Sequence, residues 1–138
     1  MSGITAFDAD VLIYAAAAGH PLGQHVAELF RDPARASAGV GSVLLLTEVL
    51  SKPMRDDPES AETAALLSLL SRLDLRPVDE PTARLALTLA ISHGLCAADA
   101  IHLATAVAAG ADRLLTNNRK DFPQTIEEID IVYPDDLP

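Results

Sequence analysis

The sequence predicts an α/β fold, a parallel sheet covered by helices on both faces. Three observations lead there. Short apolar runs alternate with helical segments from one end of the 138 residues to the other, which is how strands and crossover helices of a parallel sheet are laid out. The helical segments are punctuated by stop signals at Gly19, Pro21, Pro33, Gly94 and Gly110, so each is short enough to be one crossover. No repeat or low-complexity linker interrupts the chain, and 49% hydrophobic against 22% charged residues supplies one core; residues 1–138 therefore read as a single globular domain.

The elements follow in order. Residues 4–8 form the first strand, with Ile4, Ala6 and Phe7 buried. A helix runs from Val11 to about Ala18, and a second reaches about Arg31, where Pro33 stops it. Residues 36–40 are a small-residue strand. Ser42 is the N-cap of "VLLLTEVLSK". Asp57 caps and Pro58 opens a helix through Arg72, a candidate for a helical hairpin with 43–54. "DLRPV" is a strand, Asp79 or Glu80 caps the next helix, and Gly94 closes it. "AADAIHLATAVAAG" is the last long helix, followed by the strands "DRLLT" and "DIVYP".

The formal net charge is −10. It disfavours non-specific binding of nucleic acid over the whole surface, but leaves room for a local basic rim, a cationic protein partner or a bound divalent cation. Aromatics are only 4% with no Trp, so the core is aliphatic. The single Cys96 excludes an internal disulfide and points to a reducing compartment. No signal-peptide pattern is visible, nor any apolar run near the ~18 residues that span a bilayer. A cytoplasmic protein without membrane contact is expected.

The stretch "AFDADVLIY" sets Asp8 and Asp10 at the junction of a buried strand and a buried helix. Ligands of open parallel sheets bind at the C-terminal ends of strands. Asp8 stands at such an end, and Asn117, Asn118 and Asp121 follow another. Asp99 lies in the first turn of a helix. Glu48 falls in a run that is apolar nearly all round, which reads as a buried helix, where a lone carboxylate is costly unless paired or metal-bound. Each has a plainer role: Asp8 or Asp10 as a helix cap, Asp99 as complement to a helix dipole, Asp121 as a turn residue. Such a role is not available to Glu48 mid-helix. Converging carboxylates repel, and a divalent cation relieves this. All-oxygen ligands without paired Cys or His suit Mg2+ or Mn2+ rather than Zn2+, and such sites serve phosphoryl transfer.

Four blocks taken together, "FDADVLIYA", "SVLLLTEVLSK", "LCAADAIHLATAVAAGAD" and "LLTNNRKDF", resemble the PIN domain family, and within it the VapC-type toxins of toxin–antitoxin pairs. The resemblance spans almost the whole chain. It implies a three-layer α/β/α sandwich with a central, mostly parallel sheet of four to five strands. It also implies a Mg2+- or Mn2+-dependent endoribonuclease acting on single-stranded or structured RNA, an antitoxin that inserts an Arg into the site, and a homodimer. Asp8, Glu48 and Asp99 match the first three acidic positions of the family. Many relatives carry Asp where this chain has Asn118; Asp121, three residues on, is the candidate for the fourth charge. The implied metal ligands are Asp8, Glu48, Asp99 and Asp121, with Asn118 and Thr116 completing the catalytic set. Asn118 is suited to orient water and Thr116 to hydrogen-bond a carboxylate. Asp10 falls where relatives often have Asn or Ser, as a cap, a support or a further ligand. One or two metals remain open.

Lys52 and Arg55 follow Glu48 at i+4 and i+7, and Arg119 and Lys120 adjoin Asn118; these four are the candidate RNA contacts, a narrow basic rim around an acidic floor. His102, one turn after Asp99, reads as a packed core imidazole or as a group that orients a ligand. Cys96 reads as a small buried residue, and His20, His25 and His93 as surface. Two rival functions are a non-catalytic interaction module of the same fold and, from the Asp-x-Asp at "FDADV", an Asp-nucleophile phosphatase resembling the haloacid dehalogenases. The phosphatase leaves Glu48 without a task.

Overall fold

The computed structural model describes residues 3–138. Its elements are β1 (Thr5–Phe7), α1 (Ala9–Ala16), α2 (Gly23–Glu28), β2 (Gly39–Ser42), α3 (Leu44–Asp56), α4 (Ala61–Ser71), β3 (Leu73–Arg76), α5 (Glu80–His93), α6 (Ala97–Ala108), β4 (Arg113–Leu115) and β5 (Asp130–Val132), with a short 3-10 turn at Pro134–Asp136. The five strands lie in the order β3-β2-β1-β4-β5, and every neighbouring pair is parallel. From β1 the chain works outward to β2 and β3, then returns across β1 to build β4 and β5. The order therefore reverses between β1 and β4, which is where open parallel sheets leave a crevice for ligand.

Alternation along the strands divides the core into two layers. Ala6 and Leu114 face one side, packed with Ala86 and Leu89 of α5, Leu103 and Ala104 of α6, and Phe122. Phe7 and Leu115 face the other, packed with Val11 and Leu12 of α1, Val26 of α2, Leu45 and Val49 of α3, and Leu66 and Leu70 of α4. The core is mainly aliphatic, and each fully buried Leu or Phe contributes roughly 1.5–3 kcal/mol. Helices α3 and α4 pack together as the expected hairpin, and α4 leads into β3. Among the described residues no single helix is long and apolar enough to cross a membrane.

Boundaries move where local chemistry outweighs pattern. Ile4 is 41% exposed rather than buried: β4 pairing begins at Thr5, and the Ile4 N–H goes to the Asp112 carboxylate at 2.6 Å. Helix α1 starts at Ala9, not Val11, because Asp8 is its cap. Helix α4 starts at Ala61, not Pro58. Asp57 Oδ1 accepts from the Glu59 N–H at 3.1 Å to make a turn, and Ser60 caps by accepting from Thr63 N–H. Strand β2 is Gly39–Ser42 instead of 36–40. A Cβ at Gly39 would meet the Thr5 carbonyl at 2.2 Å, so the close approach of β2 to β1 requires glycine there. Strand β3 ends at Arg76 because Pro77 has no N–H to continue the ladder. Pro53 does not break α3, which continues to Asp56. Gly94 closes α5 at φ 67°, the left-handed cap expected of it.

Candidate active site

The crevice between β1 and β4 is built around Asp8. This residue ends β1 and caps α1, with Oδ1 accepting from Ala9 N–H at 2.8 Å. Its Oδ2 accepts from the Thr116 hydroxyl at 2.8 Å, across 108 residues of chain. Asp8 is 6% exposed and Thr116 is fully buried. The capping role and the strand-end role thus coexist in one side chain. Thr116 Oγ1 in turn accepts from Asn118 N–H at 3.1 Å, so one hydroxyl ties the β4 exit to the β1 exit.

Asn118 and Asp121 act as a pair. Asn118 Nδ2 donates to Asp121 Oδ2 at 3.0 Å, and Asn118 Oδ1 accepts from Asp121 N–H at 3.3 Å. The neutral amide thereby holds the carboxylate three residues on. A second carboxylate at 118 would meet Asp121 with like charge.

Asp10 sits in the first turn of α1. Its Oδ1 accepts from Val11 N–H at 2.7 Å and its Oδ2 from Asn117 N–H at 3.0 Å, a bond that docks the loop after β4 onto α1. Burial, reinforced by the charge of Asp8 and opposed by those two N–H groups, pushes its pKa up to about 6. Asp99, in the first turn of α6, is raised mainly by burial and further by Asp8 and Asp121; the Cys96 thiol opposes this by donating to Oδ2 at 3.3 Å. Asp8, Asp10, Asp99 and Asp121 therefore share one electrostatic field. Cys96 itself is exposed, not buried, because the N-cap position of α6 faces outward.

Glu48 departs from its sequence reading. It is 36% exposed, since α3 buries Leu45, Val49 and Leu50 and turns Leu46, Thr47 and Glu48 outward. The apolar run is amphipathic in place, and it borders a groove of about 300 Å³ lined by Ile13, Val49, Lys52 and Leu66. Glu48 Oε1 bonds with His102 Nε2 from α6. The imidazole is buried, in keeping with a core histidine, yet it also touches an acidic candidate. The Cys96–Asp99 contact and the anchoring of Asn117 on Asp10 were not read from the sequence; the only signal was their adjacency to Asp99 and Asn118.

Two of the four candidate cations are engaged. Lys52 Nζ bonds Asp56 at 3.1 Å. Arg119 pairs with Asp135 and lies 4.4 Å over the Tyr133 ring. Arg55 and Lys120 are exposed. Among the described residues, no three His, Cys, Asp or Glu side chains stand close enough to enclose a metal ion by themselves. The donors are oxygens, among them carboxylates that raise one another's pKa. That chemistry fits a hard divalent cation of the Mg2+ or Mn2+ type, which takes one or two carboxylates and completes its shell with water and phosphate.

A stability consequence follows. Folding raises the Asp10 pKa from 3.8 to about 6, so between those pH values the folded state binds more protons than the unfolded state. Metal-free stability should then rise as pH falls from 7 through 6 toward 4. The shift corresponds to roughly 3 kcal/mol, and partial exposure reduces it to roughly 1–2 kcal/mol. Asp99 adds in the same sense. Asp79, held low by its hydrogen bonds to Thr82, opposes only below its ordinary range. Thermal melts of metal-free protein at pH 7 and pH 5 check this; a lower melting temperature at pH 5 would mean that the cluster is not strained.

The PIN domain family profile matches residues 6–127. Among solved structures, the fold is similar to a toxin–antitoxin complex from Klebsiella pneumoniae, at 24% identity over 95% of this chain and 97% of that one, TM-score 0.73. It is also similar to VapBC2 from Rickettsia felis bound to a promoter DNA fragment, at 19% identity over 94% and 98%, TM-score 0.70, and to FitAB bound to a DNA fragment, at 19% identity over 95% of both chains, TM-score 0.66. At these identities the likeness is one of fold. A comparison with curated protein sequences gave no match.

Proposed function

The chain belongs to the PIN domain family, and from that premise we propose that it is a Mg2+- or Mn2+-dependent endoribonuclease, the toxin of a toxin–antitoxin pair. The observation that carries the reading is the bond from Thr116 to Asp8 at the crevice between β1 and β4, within the shared field of Asp10, Asp99 and Asp121. The family membership sets the phosphatase alternative aside.

Asp8 and Asp99 would hold the cation, with Asp121 and Glu48 acting on it through bound water. The chemistry supplied by Mg2+ or Mn2+ when bound is polarisation of the scissile phosphate and a lowered pKa for the attacking water. The chain's own residues supply position. Thr116 keeps Asp8 in one rotamer, the Asn118 amide keeps Asp121 turned in, and Asp10 locks the loop that carries Asn117. Arg55 and Lys120, with Lys52 and Arg119 once released from Asp56 and Asp135, would contact the phosphates of a short RNA segment. A neighbour of this fold is a toxin–antitoxin complex, which supports an antitoxin whose Arg pairs bidentately with the site carboxylates. The net charge of −10 suits such a basic segment. A cytoplasmic homodimer completes the reading.

Incubation with an RNA pool tests it. Cleavage should require added Mn2+ or Mg2+ and stop in excess EDTA. Cleavage undiminished by EDTA refutes the metal mechanism, and metal binding without cleavage of any RNA favours the non-catalytic module.

A further inference from the structure

His102 has no place in the proposed ligand set, yet its surroundings assign it a task. Its side chain is 2% exposed on the buried face of α6, beside Leu103 and Ala104. Nε2 meets Glu48 Oε1 across 54 residues of chain. Nδ1 is buried and has no hydrogen-bond partner among the described residues. A buried lone pair without a partner is tolerated better than a buried orphan N–H. The Nδ1–H tautomer would orphan a donor there and set a lone pair against the carboxylate. An Nε2–H donating to Glu48 satisfies the contact.

We propose that His102 is a positioning residue, whose Nε2–H fixes the Glu48 carboxylate for the divalent cation; the inference rests on the nuclease reading above. The need is physical. Glu48 stands on an outward turn of α3, and a free glutamate there has rotamers to lose on binding. The bond to a rigid, buried ring removes that freedom beforehand. A purely packing role explains the ring less well. An aliphatic residue would fill the layer without leaving Nδ1 unpaired, so what the imidazole adds is the donor on the other side. Loss of a group that hydrogen-bonds a ligating side chain typically weakens metal binding ~10–100-fold.

Calorimetric titration with Mn2+ alone tests this on wild type, His102→Leu, His102→Gln and Glu48→Gln. Leu fills the site without a donor, whereas the Gln amide nitrogen approximates Nε2. His102→Leu should melt at or above the wild-type temperature yet bind Mn2+ about 10-fold or more weakly, with His102→Gln recovering most of the loss. The double variant His102→Leu, Glu48→Gln should be no weaker than Glu48→Gln. Nitrogen-15 spectra of the metal-free wild type at neutral pH should show the Nε2–H tautomer. The Nδ1–H form overturns the proposal without reference to any variant. So does wild-type Mn2+ affinity in a folded His102→Leu, or unchanged affinity in Glu48→Gln. If Asp8→Asn still abolishes metal binding in that case, the nuclease reading stands; a wild type that binds no Mn2+ overturns both.

Discussion

Replacing Asp8 by Asn is expected to lower Mn2+-dependent RNA cleavage by on the order of 10³-fold or more while leaving the fold in place. The reason lies in the two jobs of the side chain. As a cap, Asn is about as good as Asp, so the Ala9 N–H that Asp8 holds at 2.8 Å keeps an acceptor. At the other end, a hydroxyl has two lone pairs, so Thr116 Oγ1 is able to accept from the new amide as well as from Asn118 N–H. What disappears is the charge and one ligand oxygen. Asp99→Asn should behave similarly. Because the carboxylates act as a unit, the double variant should lose little more than either single one. Cleavage rates with saturating Mn2+, read beside melting temperatures, check this. Retained activity in a folded Asp8→Asn would remove the residue from the catalytic set.

Thr116→Val should be the most damaging isosteric change in the crevice. It deletes the donor to Asp8 Oδ2 and the acceptor for Asn118 N–H at a fully buried position. Two groups left without partners, each worth roughly 1–3 kcal/mol, give an expected loss of about 2–6 kcal/mol. Thr116→Ser keeps the hydroxyl and loses a methyl, a loss of roughly 0.5–1.5 kcal/mol. Activity should fall with Val and largely survive with Ser, since Asp8 is held only in the second. Denaturant midpoints at constant m-value measure the difference. Equal stability of the two variants would mean that the hydroxyl does not hold Asp8.

Much of the layout was legible from local chemistry. Strand and helix alternation, the stop at Gly94, the cap at Asp79 and the placement of Asp8 and Asp99 at element ends follow from periodicity and turn residues within a few positions of each other. Boundaries slipped where a competing local bond was stronger, as when Ser60 displaced Asp57 and Pro58 as the start of α4.

The sequence by itself determined the fold class, the two apolar faces of the sheet and which carboxylates stand at strand ends, because those depend on neighbours one to four residues away. Only the tertiary structure decided the strand order that puts Thr116 on Asp8, the outward turn of Glu48, and its bond to His102. These contacts join residues 54 and 108 positions apart. An apolar run tells how much of a helix is buried, but which face is buried is set by the elements packed against it. Here α1 and α4 leave the Glu48 side of α3 open as a groove.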